Sequence, residues 1–388
     1  MTTAVSEPQS PVADAAAPVD VADPVNAAIL AVSEDGLQGF QPDPFGEIAS
    51  RTHIAKETVV ERVQAMLDAG VIRRVRQTLL ATNLARGALV AWRVREGKLH
   101  AAFDWMFKND PFTGHVVVRS TDQKIAGAKY RLWTTLKVPV GYSMQKHCEE
   151  LKRRTKADAF MLLPAKKLFA LGVGHVRRKE LQPGDKTDEP GRVIDVEVTP
   201  VADNEWPVLE ALKREFTRDE LAADPIWSPR AAEAGVSLDA FLAKANELAD
   251  RGVIGRFSTF LEHYKKLKTG ERVTRFNALF HWRVPEGRQL EAGREVGRFH
   301  CMTHAYWREA GDAFGNVNLM GVSHGTEKDK VLAHKAAIDA HLASLGIDVS
   351  YTNVFWGGRS EIKPSEVSPA VFRDFWQSQG VDPETLRD

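Results

Sequence analysis

A short segment that recurs constrains this chain more than any other feature. Gly70-Val71-Ile72-Arg73-Arg74 is echoed 182 residues later by Gly252-Val253-Ile254-Gly255-Arg256. Internal similarity has to be settled before a fold is assigned, because a missed duplication misassigns everything downstream. Ahead of each copy lie three helical patterns. In the first they begin near Pro24, at Pro44 and over Lys56 to Ala69, where Val59, Val63, Met66 and Leu67 share a face. In the second they run over Trp206 to Glu215, Ser228 to Ala234 and Ser237 to Arg251, with Phe241, Leu242, Ala245 and Leu248 facing inward. Gly70 and Gly252 stand where a helix C-terminus favours a left-handed residue, and the β-rich residues after each read as a wing.

Each wing is followed by strand, helix, strand, strand, helix, strand, the split βαβ or ferredoxin-like plan. Trp92-Arg93-Val94 matches Trp282-Arg283-Val284 at a spacing of 190, so the second wing is longer by the residues Tyr264 to Glu271. The expected class is α+β, a tandem duplication of winged helix plus ferredoxin-like domain. The segments are a disordered tail (1–24), winged helix 1 (25–80), ferredoxin-like domain 1 (81–181), a linker (182–204), winged helix 2 (205–263), ferredoxin-like domain 2 (264–361) and a tail (362–388) with one helix around Pro369 to Ser378.

Composition narrows the function. Lys plus Arg equals Asp plus Glu at 52 each, so any anion site is local rather than a global basic field. The two cysteines, Cys148 and Cys301, fall in different halves and provide neither a disulfide framework nor a four-sulfur metal site. The first 24 residues hold no Lys or Arg, unlike a secretory or transit leader, and no apolar run is long enough to span a bilayer. A cytoplasmic protein is expected, with no membrane partner. Walker, GxGxxG, HExxH and GxSxG patterns are absent from the sequence. The third helix of each winged unit carries a net charge of −1, unsuited to a duplex, so DNA is not the expected partner.

Alternation along a strand places His304, Tyr306 and Arg308 on one face, and Asn318, Met320, Val322 and His324 on one face of its neighbour. Histidines, a phenol and a guanidinium together offer proton donors, a metal ligand and an anion clamp. The competing reading is a solvated polar surface. His263 in the second wing is a further candidate. In the first half the corresponding positions hold His115, Arg119, Lys137 in place of His324, Ala81 in place of His263 and Val117 in place of Tyr306. One working site in the second half and an accessory one in the first is the expectation. His53, His100, His147, His334 and His341 read as structural or solvent-facing, His175 as part of a solvated basic strand end, and His281 as a packed or edge residue opposite Trp282.

Several motifs resemble the siroheme decarboxylases, enzymes on the scaffold of Lrp/AsnC regulators. In the second half these are Gly252-Val253-Ile254-Gly255-Arg256-Phe257, Asn277-Ala278 before Trp282, Thr303-His304-Ala305-Tyr306 with Arg308, and Asn318-Leu319 leading to His324-Gly325. The first half resembles the other subunit type through Pro44-Phe45, His115 with Arg119, and Tyr130-Arg131-Leu132-Trp133-Thr134-Thr135-Leu136. The chain departs from the family at Asn316-Val317, Arg275-Phe276 and Arg131. The resemblance implies removal of CO2 from acetate side chains of siroheme, giving didecarboxysiroheme on the way to haem or haem d1. The iron tetrapyrrole is the substrate, and no separate cofactor is required. Arg256, Arg308, Arg119, His115, Asn318 and Trp282 would bind it, with His304 or Tyr306 as proton donor, His263 or His324 as the alternative, and His304 or His324 as an axial ligand to its iron. The two halves would form a pseudo-dimer, and a homodimer of whole chains is a further assembly. The alternatives are a ligand-sensing Lrp/AsnC-type regulator and a haem-binding protein without turnover.

Overall fold

The structure is a computed structural model that describes residues 17–171, 181–261 and 276–388. His175, His263, the extra wing residues 264–271, Arg275 and most of the N-terminal tail lie outside the described residues. The strands, in chain order, are β1 (Leu37–Gln38), β2 (Ile72–Leu79), β3 (Ala85–Arg93), β4 (Thr113–Ser120), β5 (Leu132–Pro139), β6 (Ala159–Pro164), β7 (Lys167–Leu171), β8 (Ile194–Asp195), β9 (Ile254–Leu261), β10 (Phe276–Arg283), β11 (Met302–Trp307), β12 (Leu319–Gly325) and β13 (Tyr351–Ile362). The chain divides into two compact units, Met1–Leu79 with Asp203–Lys265 and Leu80–Ala202 with Lys266–Asp388, so each unit draws on both halves of the sequence.

In the first unit, side-chain oxygens start the helices by accepting from amides that have no partner within the helix. Asp23 caps Pro24–Ser33, Asp43 caps Pro44–Thr52 and Ser237 caps Leu238–Asp250. Lys56–Asp68 and Leu238–Asp250 end as the sequence predicts, at Gly70 and Gly252 with φ of 70° and 71°. The β-rich segments depart from the expectation of a separate wing in each half. The strands β2 and β9 pair with each other, antiparallel, in a three-stranded sheet of order β1-β9-β2. Val75 and Phe257 on its inward side are fully buried, so one sheet covers helices of both halves.

In the second unit one sheet runs β6-β3-β5-β4-β13-β10-β12-β11-β7-β8. Within each half the order is fourth, first, third, second strand, as a ferredoxin-like sheet requires, consistent with a duplicated AsnC-type architecture. The halves are stitched by their fourth strands. The twelve-residue β13 pairs with β10 of its own half and then with β4 of the first. The chain leaving β6, paired to β3, enters β7, paired to β11 of the second half. The segments beyond continue the exchange. Thr187 and Gly191, in the predicted linker, donate backbone hydrogen bonds to Arg298 and Arg294 at 3.1 and 2.8 Å. The C-terminal helix Pro369–Ser378 packs Phe372 and Trp376 into the first half's core.

Alternation sorts the side chains of this sheet. Val90, Trp92, Leu132 and Leu136 face the helices of the first half, and Phe280, Trp282 and Leu319 those of the second. The opposite, inner face carries Ala91, Val117, Trp133 and Leu163 from the first half, packed with Leu279, Met320 and Phe355 from the second. Each large apolar side chain so buried contributes about 1.5–3 kcal/mol.

Candidate functional site

The inner face also holds the polar groups. On β11 a bulge between Met302 and His304 resets the alternation, so that His304 and Tyr306 project inward opposite Val322 and Met320. Their rings stack with centroids 5.9 Å apart and 10° between planes. The Arg308 guanidinium lies 4.4 Å over the Tyr306 ring. Burial raises the Tyr306 phenol above its ordinary value, so it keeps its proton at neutral pH. The Thr303 hydroxyl donates to the Val322 carbonyl at 3.0 Å and stands 3.1 Å from Nδ1 of His304 and 3.5 Å from Nδ1 of His324. A hydroxyl whose proton is committed can only accept from a ring N–H, which puts a proton on Nδ1 of His304. His324 meets Asn277 Nδ2 through Nε2 at 3.2 Å.

The two strand-two arginines behave alike. Arg119 on β4 donates to the Phe355 carbonyl of the second half at 3.2 Å, and Arg308 donates to the Leu163 carbonyl of the first. Each thus reaches the fourth strand of the opposite copy. They are 4% and 8% exposed. Burial lowers both, Arg119 to about 10. His115, on β4, faces Ser360 Oγ of β13 at 2.8 Å. It is pushed down to about 3 by burial, then by the nearby charges of Arg119 and His304, so it is neutral.

Two groups stand here that the sequence reading did not place in the site. In the sequence Lys137 stands out only as the residue in place of His324. On β5 it shares the inner side with Trp133 and Thr135, while Leu132, Leu136 and Val138 face the helices. That alternation is the signal that identifies it. Burial, then Arg308, pushes its ammonium down to about 8. His281 is fully buried among Phe355, Trp133 and Phe314, at ring-centroid distances of 4.9, 6.1 and 6.1 Å. Neither ring nitrogen has a partner among the described residues. Burial, then Arg119, pushes it down to about 3.

Of the remaining candidates, Trp282 and Asn318 are not brought to this face. Trp282 is fully buried on the helix side, donating Nε1 to Asp339 at 2.6 Å, because its neighbour His281 takes the inward position. The Asn318 amide is spent on Val284, bonding its N–H at 2.9 Å and its carbonyl at 2.8 Å, and so clips two strand ends together. Arg256 belongs to the other unit, where its Nε donates to the Glu34 carbonyl at 3.1 Å. The bland reading of the remaining histidines fits most of them, although His147 and His341 have acidic partners, Asp110 at 3.5 Å and Glu295 at 2.6 Å.

The site therefore gathers three cations, Arg119, Lys137 and Arg308, with no carboxylate paired to any of them among the described residues. Beside them lie neutral imidazoles and a protonated phenol, with apolar walls of Trp133, Met320 and Phe355. Buried cations without acids call for an anionic ligand. No group of three or more His, Cys, Asp or Glu able to hold a metal occurs among the described residues.

The model of a family described as the AsnC-like ligand binding domain matches residues 84–170. The chain is 24% identical to a siroheme decarboxylase of Hydrogenobacter thermophilus over 291 residues, 74% of this chain and 80% of that one. It is 30% identical to the siroheme decarboxylase NirH subunit of Pseudomonas aeruginosa over 118 residues, 30% of this chain and 65% of the subunit. The fold is similar to that of the siroheme decarboxylase NirDL, with a TM-score of 0.66 and 18% identity over 91% of this chain and 99% of that one. A second crystal structure of NirDL, in complex with an iron-uroporphyrin III analogue, gives 0.65 over the same shares. The chain resembles the siroheme decarboxylase family.

Proposed function

We propose that this chain is a carboxy-lyase of the siroheme decarboxylase type, taking CO2 from acetate side chains of siroheme or a closely related iron tetrapyrrole. The observation that carries the reading is the inner face itself, with three cations lacking acidic partners beside neutral histidines, a phenol and a broad apolar wall. The resemblance to siroheme decarboxylases supports the same reaction class. A polycarboxylate macrocycle supplies the missing anions, and its flat ring fits an aromatic-lined surface.

Loss of CO2 breaks the bond between the acetate methylene and its carboxyl carbon and leaves the electron pair on the methylene. The conjugated ring spreads that charge, a proton completes a methyl group, and the protein has to hold the ring and deliver the proton. Tyr306, which keeps its proton, and His304 stacked on it are the donors, with His324 the next group along the Thr303 hydroxyl. His304 or His324 would ligate the substrate's iron, and Arg119 and Arg308 would grip carboxylates. The iron chemistry belongs to the substrate, and no separate cofactor enters this scheme. His115 serves binding.

The regulator reading is disfavoured by the cations of the third helices. Lys56 pairs with Asp43 and Asp224, Arg62 with Asp23, and Lys244 and Arg251 both with Glu205, so each of these four faces a carboxylate that would compete with a phosphate backbone. No helix among the described residues is long and apolar enough to cross a membrane. The deciding experiment is anaerobic incubation of the purified chain with siroheme, followed by mass spectrometry. Products lighter by one or two CO2 are expected. Unchanged siroheme together with salt-dependent retention on duplex DNA would replace this reading with the regulator.

A further inference from the structure

The second half was expected to carry a site of its own, yet the inner-face residues around Arg308 come from both halves. Leu163, whose carbonyl Arg308 engages, belongs to the first half, and so does Lys137. Lys137 pairs in register with Gly87 on β3. A Cβ placed on Gly87 would lie 2.9 Å from Nζ of Lys137 and 3.3 Å from its Cδ and Cε. Glycine there is what lets the lysine stem lie flat across the neighbouring strand. The result is an ammonium that shares the inner face with a guanidinium, half-buried, with no hydrogen bond or ion pair of its own among the described residues.

Two cations within electrostatic reach of each other in a sparsely hydrated place repel, and each loses hydration. Arg308 offsets part of this through the Leu163 carbonyl and the Tyr306 ring. Lys137 has no such compensation among the described residues. We infer that Lys137 is a substrate-binding residue that, with Arg308, holds a carboxylate of the bound tetrapyrrole, so that the site around Tyr306 is completed by the first half of the chain. This rests on the tetrapyrrole reading above and adds to it a residue and a requirement, namely a ligand with an ionised side-chain carboxylate at this corner. A lysine suits the task because its ammonium is a compact charge on a long stem that can follow a flexible acetate or propionate arm, where the planar fork of Arg308 stays fixed by its carbonyl.

The lysine also leaves a signature that an inert surface lysine would not. With its ammonium pushed down to about 8, it is charged at pH 7 and largely neutral at pH 9. The other groups on the facing strands hold one state across that window by their direction of shift. His115 is neutral, and Tyr306 is protonated. Arg119 remains charged until about 10. Arg308 is lowered by its burial. His304 and His324 also face this corner and are the same in every variant, so comparing wild type with the Lys137 variants separates their contribution from that of the lysine.

The test is a Soret titration of the full chain with iron uroporphyrin III at pH 7 and pH 9, in wild type, K137M and K137R, with circular dichroism to confirm folding. Wild type should bind about tenfold more weakly at pH 9. K137M should bind about tenfold more weakly than wild type at pH 7 and show little further loss at pH 9. K137R, charged at both values, should stay within about threefold of wild type at pH 7 and lose the pH dependence. A wild-type chain that leaves the spectrum unchanged removes the tetrapyrrole reading and this inference with it. A wild-type chain that binds while folded K137M matches it in affinity and pH dependence overturns this inference alone.

Discussion

Burial makes the single histidines of the inner face respond to pH in opposite ways from a surface group. His281 has no hydrogen-bond partner for either nitrogen among the described residues and is held down to about 3, against about 6.5 for an unfolded chain. Between those values the unfolded chain binds a proton that the folded one refuses, so stability falls as pH drops from 6.5 toward 3. The slope from one such group is at most about 1.4 kcal/mol per pH unit. His281→Leu, which keeps an apolar side chain among Phe355, Trp133 and Phe314, should flatten the acid limb of a urea-denaturation series. An unchanged limb would mean that water or a ligand solvates the imidazole in solution. Proton delivery is tested at the same scale. His304→Ala should slow CO2 release about 100- to 10,000-fold, whereas His115→Ala, removing a neutral ring held by Ser360, should alter mainly the apparent dissociation constant. Equal losses of turnover would show that both histidines act in the chemical step.

At the level of elements, period-two alternation made much of the inner face legible. His304, Tyr306 and Arg308 do share a side, and His324 is linked to His304 through the Thr303 hydroxyl. Helix ends were legible too, because Gly70 and Gly252 answer to local backbone geometry. What pairs with what across the halves was not. The ladder of β2 on β9 joins residues about 180 positions apart, and no local pattern states which partner a strand edge will take. Lys137 is inconspicuous in the sequence for the same reason, since the cation it is set against, Arg308, lies just past β11 of the other half. The C-terminal helix, predicted at its observed bounds, proves to be a core element. Trp376 is fully buried and donates to His147 Nδ1 at 3.2 Å, and His147 in turn faces Asp110 with both side chains fully buried. Trp376→Ala should cost about 3–5 kcal/mol in unfolding free energy. A loss below about 1 kcal/mol would show that the helix detaches in solution without consequence.

For the whole molecule, the crossing of β13 and β7 onto the opposite copy means that neither half of the sequence is a finished domain. β13 supplies the strand beside β4, β7 the strand beside β11, and each outgoing segment is bound to the opposite copy. Two polypeptides cut within 182–204 and expressed together should therefore copurify as a one-to-one complex, while each alone should aggregate through its uncovered edge and core. Recovery of either half as a folded monomer would contradict the interlocked arrangement. The same covalent link has a further consequence at the pseudo-twofold axis. In a true homodimer every substitution on the inner face is made twice, and the enclosed space must look the same from both sides. Here His281 occupies a position whose counterpart is Ala91, and His324 one whose counterpart is Lys137. A single chain has freed the inner face from that twofold repetition, so a lopsided guest bound there would meet different groups at its two edges.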